Sequence, residues 1–218
     1  MKTAMILAAG RGERLKPVTE WIPKAMCLVK GMPLIEHHVG NLAKAGFERL
    51  VINHAYLGDQ IRRHLGNGSR WNVEICYSPE APGGLETGGG IVNALPLLGD
   101  TPFLTVNADI YTDFAFDRLQ LAEQSLVQLL LVKNPPHNSQ GDFGLSQGRV
   151  LNQKRNYTFA GVACYHPDVF ASCSIGRYSM TPILRSLAEQ NQIGGSLFDG
   201  MWIDIGTVER LRFANQSR

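Results

Sequence analysis

Gly10 and Gly12 directly follow a short apolar run, Ala4-Met5-Ile6-Leu7, and two cations, Arg14 and Lys24, come soon after them. A chain that leaves a buried strand and turns over Leu7-Ala8-Ala9-Gly10-Arg11-Gly12 uncovers its backbone N–H groups. With a helix N-terminus behind them, such groups make an anion cradle. An ordinary strand-to-helix turn has no use for Arg14 and Lys24 together, so the cradle is read as one for phosphate. Two carboxylates extend the inventory. Asp109 follows the apolar run Phe103-Leu104-Thr105-Val106, and Asp204 ends Met201-Trp202-Ile203. A carboxylate just past a central parallel strand sits where α/β folds bind ligands. Mg²⁺ prefers oxygen donors, usually one or two carboxylates plus substrate phosphates. Alone, Asp109 also reads as a turn or capping residue; beside Asp204 the metal reading is stronger. A glycine run, Leu85-Glu86-Thr87-Gly88-Gly89-Gly90, is the remaining unusual feature. Each glycine inside a helix costs roughly 1 kcal/mol against Ala. Their expected use is to let a flat ligand lie on the backbone, with a flexible turn as the alternative.

Other chemistries lack their residues. No glycine is followed by Lys-Ser or Lys-Thr at P-loop spacing, and Leu15 stands where a dinucleotide fingerprint needs its third glycine. Cys27, Cys76, Cys164 and Cys173 are scattered without C-x-x-C spacing, so buried thiols in a reducing cytosol are expected, with neither zinc nor a disulfide frame. No Ser/His/Asp or Cys/His arrangement competes. His37, His38 and His64 have no carboxylate or Cys pattern around them and read as surface or satisfied core residues.

The elements that must position these groups alternate. Apolar runs at 4–7, 50–52, 73–77, 103–106 and 127–132 read as buried strands. Between them, helices are expected at 34–43, 56–65, 91–95 and 116–124, the first two closed by Gly46 and Gly66. Continuous apolar strands alternating with helices argue for a mostly parallel sheet covered on both faces, a Rossmann-like three-layer α/β/α fold. From Asn134 the texture changes to short runs broken by Pro and Gly. The stretch 134–165 is therefore expected to form one wall of the cleft within a single domain spanning 1–218. Gly161 interrupts the strand 157–165, which suggests close approach of a ligand to the backbone. A helix at 182–190 follows, then the strand ending at Asp204, with Thr207 able to cap a helix over 209–213.

Composition limits the partners. The 218 residues, 44% hydrophobic and 18% charged, suit one soluble α/β domain. A net charge of +2 with no dense Lys/Arg block argues against a nucleic-acid surface. No stretch is long and apolar enough to span a bilayer, and the N-terminal apolar run, met at once by Arg11, Glu13 and Arg14, is expected to be a strand and not a signal peptide. A cytoplasmic protein without a membrane partner is expected; the oligomeric state stays open.

The pattern L-A-A-G-x-G-x-R-L-x-P-x-T followed by P-K, complete from Leu7 to Lys24, resembles the sugar-1-phosphate nucleotidyltransferases, as does W-x-D-x-G-T from Trp202 to Thr207. The likeness runs from Met1 to about Phe213. It implies transfer of a nucleotidyl group from a nucleoside triphosphate to a sugar 1-phosphate, with Mg²⁺ on Asp109 and Asp204. It further implies that Arg14 and Lys24 act on the phosphates, and that Leu7, Ala8, Ala9, Gly10, Gly12, Glu86, Thr87, Gly88, Gly89 and Asn107 hold the nucleotide. Asp142, Gly144, Ala160 and Gly161 would then face the sugar. A separate left-handed β-helix domain, carried by some bifunctional relatives, is not expected.

Within the family, I-N-H-A, L-E-T-G-G-G, N-A-D-I-Y-T-D and W-I-D-I-G-T look closest to the N-acetylmuramate-1-phosphate uridylyltransferases of cell-wall recycling. The L-x-T-x-G spacing is shared with mannose-1-phosphate guanylyltransferases, which form the alternative; a non-catalytic, sugar-nucleotide-sensing relative is a second. Two departures stand out. The family's G-D is Ala108-Asp109 here, and the E-K-P motif whose Lys meets the acceptor phosphate is absent, with Lys154 and Arg155 nearby but unassignable.

Overall fold

The computed structural model describes residues 1–216. The first strand, β1 (Thr3–Leu7), leads through three 3₁₀ turns, Glu13–Leu15, Val18–Glu20 and Lys24–Met26, to a small hairpin of β2 (Leu28–Val29) and β3 (Met32–Pro33). Helix α1 (Leu34–Lys44) buries Leu34, Ile35, Val39 and Leu42, one stripe at helical spacing. Gly46, at φ +83°, ends it where the sequence indicates. Then come β4 (Arg49–His54), α2 (Gly58–Leu65), β5 (Glu74–Pro79), α3 (Glu86–Leu98), β6 (Phe103–Asn107) and β7 (Ile110–Thr112). The second half carries β8 (Val127–Lys133), β9 (Gly144–Ser146), β10 (Arg149–Leu151), β11 (Tyr157–Tyr165), α4 (Thr181–Glu189), β12 (Ile193–Leu197), β13 (Trp202–Asp204) and α5 (Val208–Gln216).

Nine strands form one sheet in the order β5-β4-β1-β6-β11-β8-β12-β10-β9. Only β11 and β10 run against the others, so the sheet is mostly parallel in direction, as the buried apolar runs imply. Its two faces carry separate cores. Ala4, Ile6, Leu50 and Ile52 pack with α1 and α2 on one face. Met5, Val51 and Phe103 pack with α3 and α4 on the other. The period-2 alternation along β1 and β4 decides which residue joins which core. A third, smaller cluster joins Leu15, Cys27, Val29 and Leu34 to Ile205 and Ala214, and so anchors the 3₁₀ turns against α5.

Two expected elements differ. The segment 116–124 holds only a 3₁₀ turn, Phe116–Arg118, before the chain becomes extended at Leu119. Phe114, Phe116 and Leu119 are all buried, a spacing that fits no helical stripe. The glycine run 88–90 lies inside α3, not ahead of it. The 134–165 stretch contributes β9, β10 and β11 to the large sheet itself.

Candidate active site

Three neighbouring strand ends define the cleft, since Leu7 of β1 pairs with Asn53 of β4 on one side and Asn107 of β6 on the other. The carboxyl edge of a parallel sheet is where such folds leave room for ligands. The cleft, about 380 Å³, is lined by the turn 7–12, by Lys24, Asn53, Glu86 and Thr87, and by 107–109 and Arg177. That volume suits a small organic ligand.

The cradle is built by contacts from below. The Ala8 N–H donates to Asn53 Oδ1 (2.8 Å), and the Leu7 carbonyl accepts from the Ala108 N–H (3.0 Å). Asn53 Nδ2 in turn donates to Glu80 Oε1 (2.6 Å), while Glu80 Oε2 accepts from the Leu85 N–H (2.6 Å). One buried amide–carboxylate pair thus fixes both the cradle and the entry to α3. Gly12 is left-handed, φ +71°, and a methyl group there would stand 3.0 Å from Lys24 Cβ and 2.9 Å from Thr19 Cγ2. Thr19 Oγ1 locks the turn by donating to the Gly12 carbonyl (2.8 Å). Gly10, by contrast, has no protein atom within 4 Å of its Cβ position, so its face is open to the cleft. The expected helix behind the cradle is replaced by the 3₁₀ turns, because Pro17 and Pro23 cannot supply helical N–H groups. The cation that a helix dipole would have approximated comes from Lys24.

Lys24 Nζ is bonded to Asp109 Oδ2 at the cleft floor, with side-chain exposures of 15% and 26%. Asp109 is carried between β6 and β7, and β7 pairs with β13 so that Asp204 faces Ile110. The Ile205 N–H donates to the Asp109 carbonyl (2.9 Å), which ties the two carboxylate-bearing backbones together. Asp204 Oδ2 accepts from Arg210 Nη1 (3.1 Å) and lies 3.5 Å from His137 Nε2. Burial pushes the His137 imidazole below its usual range; Arg210 and Arg14 add to this, and Asp204 opposes it. Among the described residues there is no group of three or more His, Cys, Asp or Glu side chains able to hold a metal. Two carboxylates on adjoining strands remain a fitting donor set for an ion that takes its other oxygens from phosphates.

The glycine run serves packing. A methyl group at Gly89 would stand 1.8 Å from the Gly176 carbonyl oxygen, and one at Gly88 2.7 Å from the Tyr178 ring. The N–H groups of Gly88 and Gly89 both donate to the Tyr178 carbonyl (3.0 and 3.2 Å). The flat partner of these glycines is therefore the loop 176–178, and their amides are already occupied. Glu86 and Thr87 do line the cleft, but Thr87 Oγ1 accepts from the Met180 N–H (3.0 Å), and Glu86 Oε1 is paired with Arg177 Nε (3.4 Å).

On the expected sugar side, Asp142 accepts from the Phe159 N–H (2.9 Å) and Asn138 Nδ2 (3.2 Å), holding its loop to β11. Gly144 is buried, with its Cβ position 2.3 Å from the Gln153 carbonyl oxygen. Ala160 is fully buried and its carbonyl accepts from Trp202 Nε1 (2.9 Å). Gly161, at φ +74° in a bulge of β11, is approached not by open space but by Asn107 Nδ2, 2.8 Å from its Cβ position. These four residues shape the wall: Gly161 abuts Asn107, and Ala160 belongs to the packed cluster that includes the cleft residues Ala8, Ala25 and Ala108. Of the groups not singled out from sequence as site residues, Asn53, Glu80 and Arg177 matter most. Asn53 at the end of an apolar strand had a polar signal; Glu80 and Arg177, in loops of ordinary composition, had none. Among the histidines, His64 bonds Glu36 (2.6 Å) and His37 the Val29 carbonyl (2.9 Å), but His38 is buried with no partner for Nε2. All four cysteines are free.

Comparison with known proteins gives the same picture. The nucleotidyl transferase family model matches residues 3–218. The chain is 48% identical to an N-acetylmuramate alpha-1-phosphate uridylyltransferase of Neisseria meningitidis serogroup B, across 97% of this chain and 96% of that protein. It is 32% identical to one of Caulobacter vibrioides, across 94% and 92% respectively. The structure of a putative glucose-1-phosphate thymidylyltransferase from Bacillus anthracis in complex with a sucrose superposes with a TM-score of 0.85 over 98% of this chain and 93% of that one, at 20% identity, which shows the shared fold. With a family match over nearly every residue and two relatives alike from end to end, the chain belongs to the nucleotidyl transferase family.

Proposed function

We propose that the protein transfers a uridylyl group from UTP to N-acetylmuramic acid 1-phosphate, releasing pyrophosphate, in the cytoplasmic recycling of cell-wall sugars. The observation that carries this reading is the Lys24–Asp109 pair on the floor of a glycine-edged cleft. It is supported by the 48% identity to a relative so named. No helix among the described residues is long and apolar enough to cross a membrane.

An oxygen of the sugar 1-phosphate attacks the α-phosphorus as the bond to the β-phosphate oxygen breaks. The acceptor is already ionised at neutral pH, so the reaction calls for positioning and charge neutralisation, not for a side-chain base. The open face of Gly10 admits the triphosphate to the turn. Lys24 is placed to neutralise the phosphate that changes partners, and Asp109 holds its ammonium there. Asp109 and Asp204 would hold Mg²⁺, which, when bound, neutralises phosphate charge. Asn53, by fixing Ala8 and Glu80, keeps the nucleotide end rigid.

The choice of uracil is supported by the 48% identity to a uridylyltransferase. A free Glu86 carboxylate would pair with the N–H and amino group of guanine, as the guanylyltransferase reading requires; its exposed pair with Arg177, 3.4 Å long, opposes that only weakly. A sensing relative would be expected to lose the cations or the carboxylates, whereas Arg14, Lys24, Asp109 and Asp204 are all present.

Pyrophosphate release measured across four nucleoside triphosphates and several sugar 1-phosphates tests the proposal. Turnover with UTP and N-acetylmuramic acid 1-phosphate is expected. Turnover confined to GTP with mannose 1-phosphate would overturn the substrate assignment, and none with any pair would overturn catalysis.

A further inference from the structure

Arg210 is a cation with more donors than partners. It sits in the first turn of α5, where the helix dipole disfavours positive charge. Its Nη1 donates to Asp204, yet its Nε is buried and has no partner among the described residues. Beside it, Gly206 is bare for a reason. A methyl group at Gly206 would stand 2.1 Å from Arg210 Nη2 and 3.2 Å from Arg14 Nη2. Two guanidinium groups therefore converge on one glycine, one from the cradle and one from the helix after β13. No carboxylate among the described residues pairs with Arg14, and Asp204 is the only one paired with Arg210. His137 approaches the same Asp204 from the loop after β8. Asp204 balances one of these two charges, and the net positive charge left over Gly206 favours an anion there. A planar guanidinium fork fits a phosphate better than any other cation available to a protein.

We propose that Arg14 and Arg210 together form a phosphate site over Gly206, and that Arg210 supplies a substrate contact for which the family motif in this chain has no lysine. The proposal rests on the nucleotidyl-transfer reading above. A terminal phosphate is the ligand. The acceptor 1-phosphate and the departing pyrophosphate share that chemistry, and both must lie beside the Asp109–Asp204 pair. Arg210 stands on Asp204, as Lys24 stands on Asp109.

Steady-state kinetics of Arg210→Ala and Arg210→Lys in both directions, with Arg212→Ala as a control on the same helix, test the idea. Loss of a charge-assisted contact is expected to raise the KM of the phosphate it holds by about tenfold or more; the KM for UTP stays within about twofold if that phosphate is the acceptor's, and rises with the KM for pyrophosphate if it is the leaving group, which is UTP's own β and γ phosphates. A rise in the forward KM for the sugar 1-phosphate assigns the site to the acceptor. A rise in the KM for pyrophosphate in the reverse direction assigns it to the leaving group. Arg210→Lys should recover part of either effect, because it restores charge without the fork. Calorimetric titration with inorganic phosphate provides a second arm that needs no turnover: binding seen in the wild type should be weakened about tenfold or more, or lose one site, in Arg210→Ala and be retained in Arg212→Ala. Unchanged KM values in both directions, or equal phosphate binding by Arg210→Ala and the wild type, overturn the proposal. Absence of turnover in the wild type, with phosphate binding still sensitive to Arg210, overturns only the substrate reading.

Discussion

Gly89→Ala, in the first turn of α3, and Gly40→Ala, within α1, are the same change inside a helix, and the structure gives them opposite signs. At Gly40, in α1, nothing lies within 4 Å of the Cβ position. The substitution should stabilise the protein by roughly 0.5–1 kcal/mol through helix propensity alone. At Gly89 the new methyl would meet the Gly176 carbonyl oxygen at 1.8 Å, and that oxygen belongs to backbone that cannot rotate aside. Overpacking of this kind costs about 1–3 kcal/mol. Moving the 176–178 loop also strains the two bonds from Gly88 and Gly89 to the Tyr178 carbonyl, each worth about 0.5–1.5 kcal/mol. Set against a propensity gain of about 1 kcal/mol, the net loss is roughly 3 kcal/mol. For a chain of this size that lowers Tm by about 6–12 °C. Because the displaced loop carries Arg177, the KM for UTP should rise as well. Thermal unfolding followed by circular dichroism, with the Gly40→Ala protein alongside, measures both signs. A Gly89→Ala protein as stable as the wild type would refute the claim that these glycines exist for backbone contact with the loop.

Lys24→Ala should remain folded and lose about 10²–10³ in kcat, the usual cost of removing one preorganised charge donor from the reacting phosphate, and turnover near wild type with saturating substrates would count against its role. Asp109→Asn and Asp204→Asn should each abolish divalent-metal-dependent activity and weaken Mn²⁺ binding seen by paramagnetic resonance; normal Mn²⁺ binding by either variant removes that carboxylate from the metal site. His38 is buried, and burial first of all lowers its pKa from 6.5 to about 4. A depressed imidazole contributes stability above the unfolded pKa that is lost as pH falls through the folded one, so stability should decline by roughly 3 kcal/mol between about pH 6.5 and 4 on this account. His38→Leu should flatten that part of the pH–stability curve, and an unchanged slope in denaturant titrations would assign it to other groups.

Apolar periodicity carried the architecture a long way. β1, β4, β5, β6 and β8 stand where continuous runs of Val, Ile, Leu and Phe indicate buried strands, and α1 stands where its stripe and Gly46 indicate. Such patterns are legible because burial is a local requirement repeated along the chain. The segment 116–124 was not legible in the same way. Its apolar residues are real core residues, but Phe114, Phe116 and Leu119 reach the core from an irregular path, and composition alone resembles a short helix. The reversed direction of β11 was also out of reach, because a strand buried on both faces looks the same whichever way its neighbours run.

Within the site, charged residues were easier to read than glycines. Lys24 and Asp109 line the cleft and bond each other, while Asp204, at the end of β13, pairs with Arg210; a half-buried charge takes a partner of opposite sign. A glycine carries a weaker message. It says that something comes close to the backbone, without saying what. At Gly10 the space is open to the cleft; at Gly12 the neighbours are Thr19 and Lys24, and at Gly161 the Asn107 amide. At Gly88 and Gly89 the approaching group is the chain itself, about ninety residues later in the sequence, at Gly176 and Tyr178. Nothing in L-E-T-G-G-G distinguishes these cases, since the removed side chain is the same in each. The distinction lies in the partner, and the partner's position is decided by tertiary packing. Arg210 shows the converse. Its guanidinium crosses the backbone of Gly206, so W-I-D-I-G-T keeps its glycine for a residue four positions downstream, and a cation poised over a glycine becomes visible only when both are seen together.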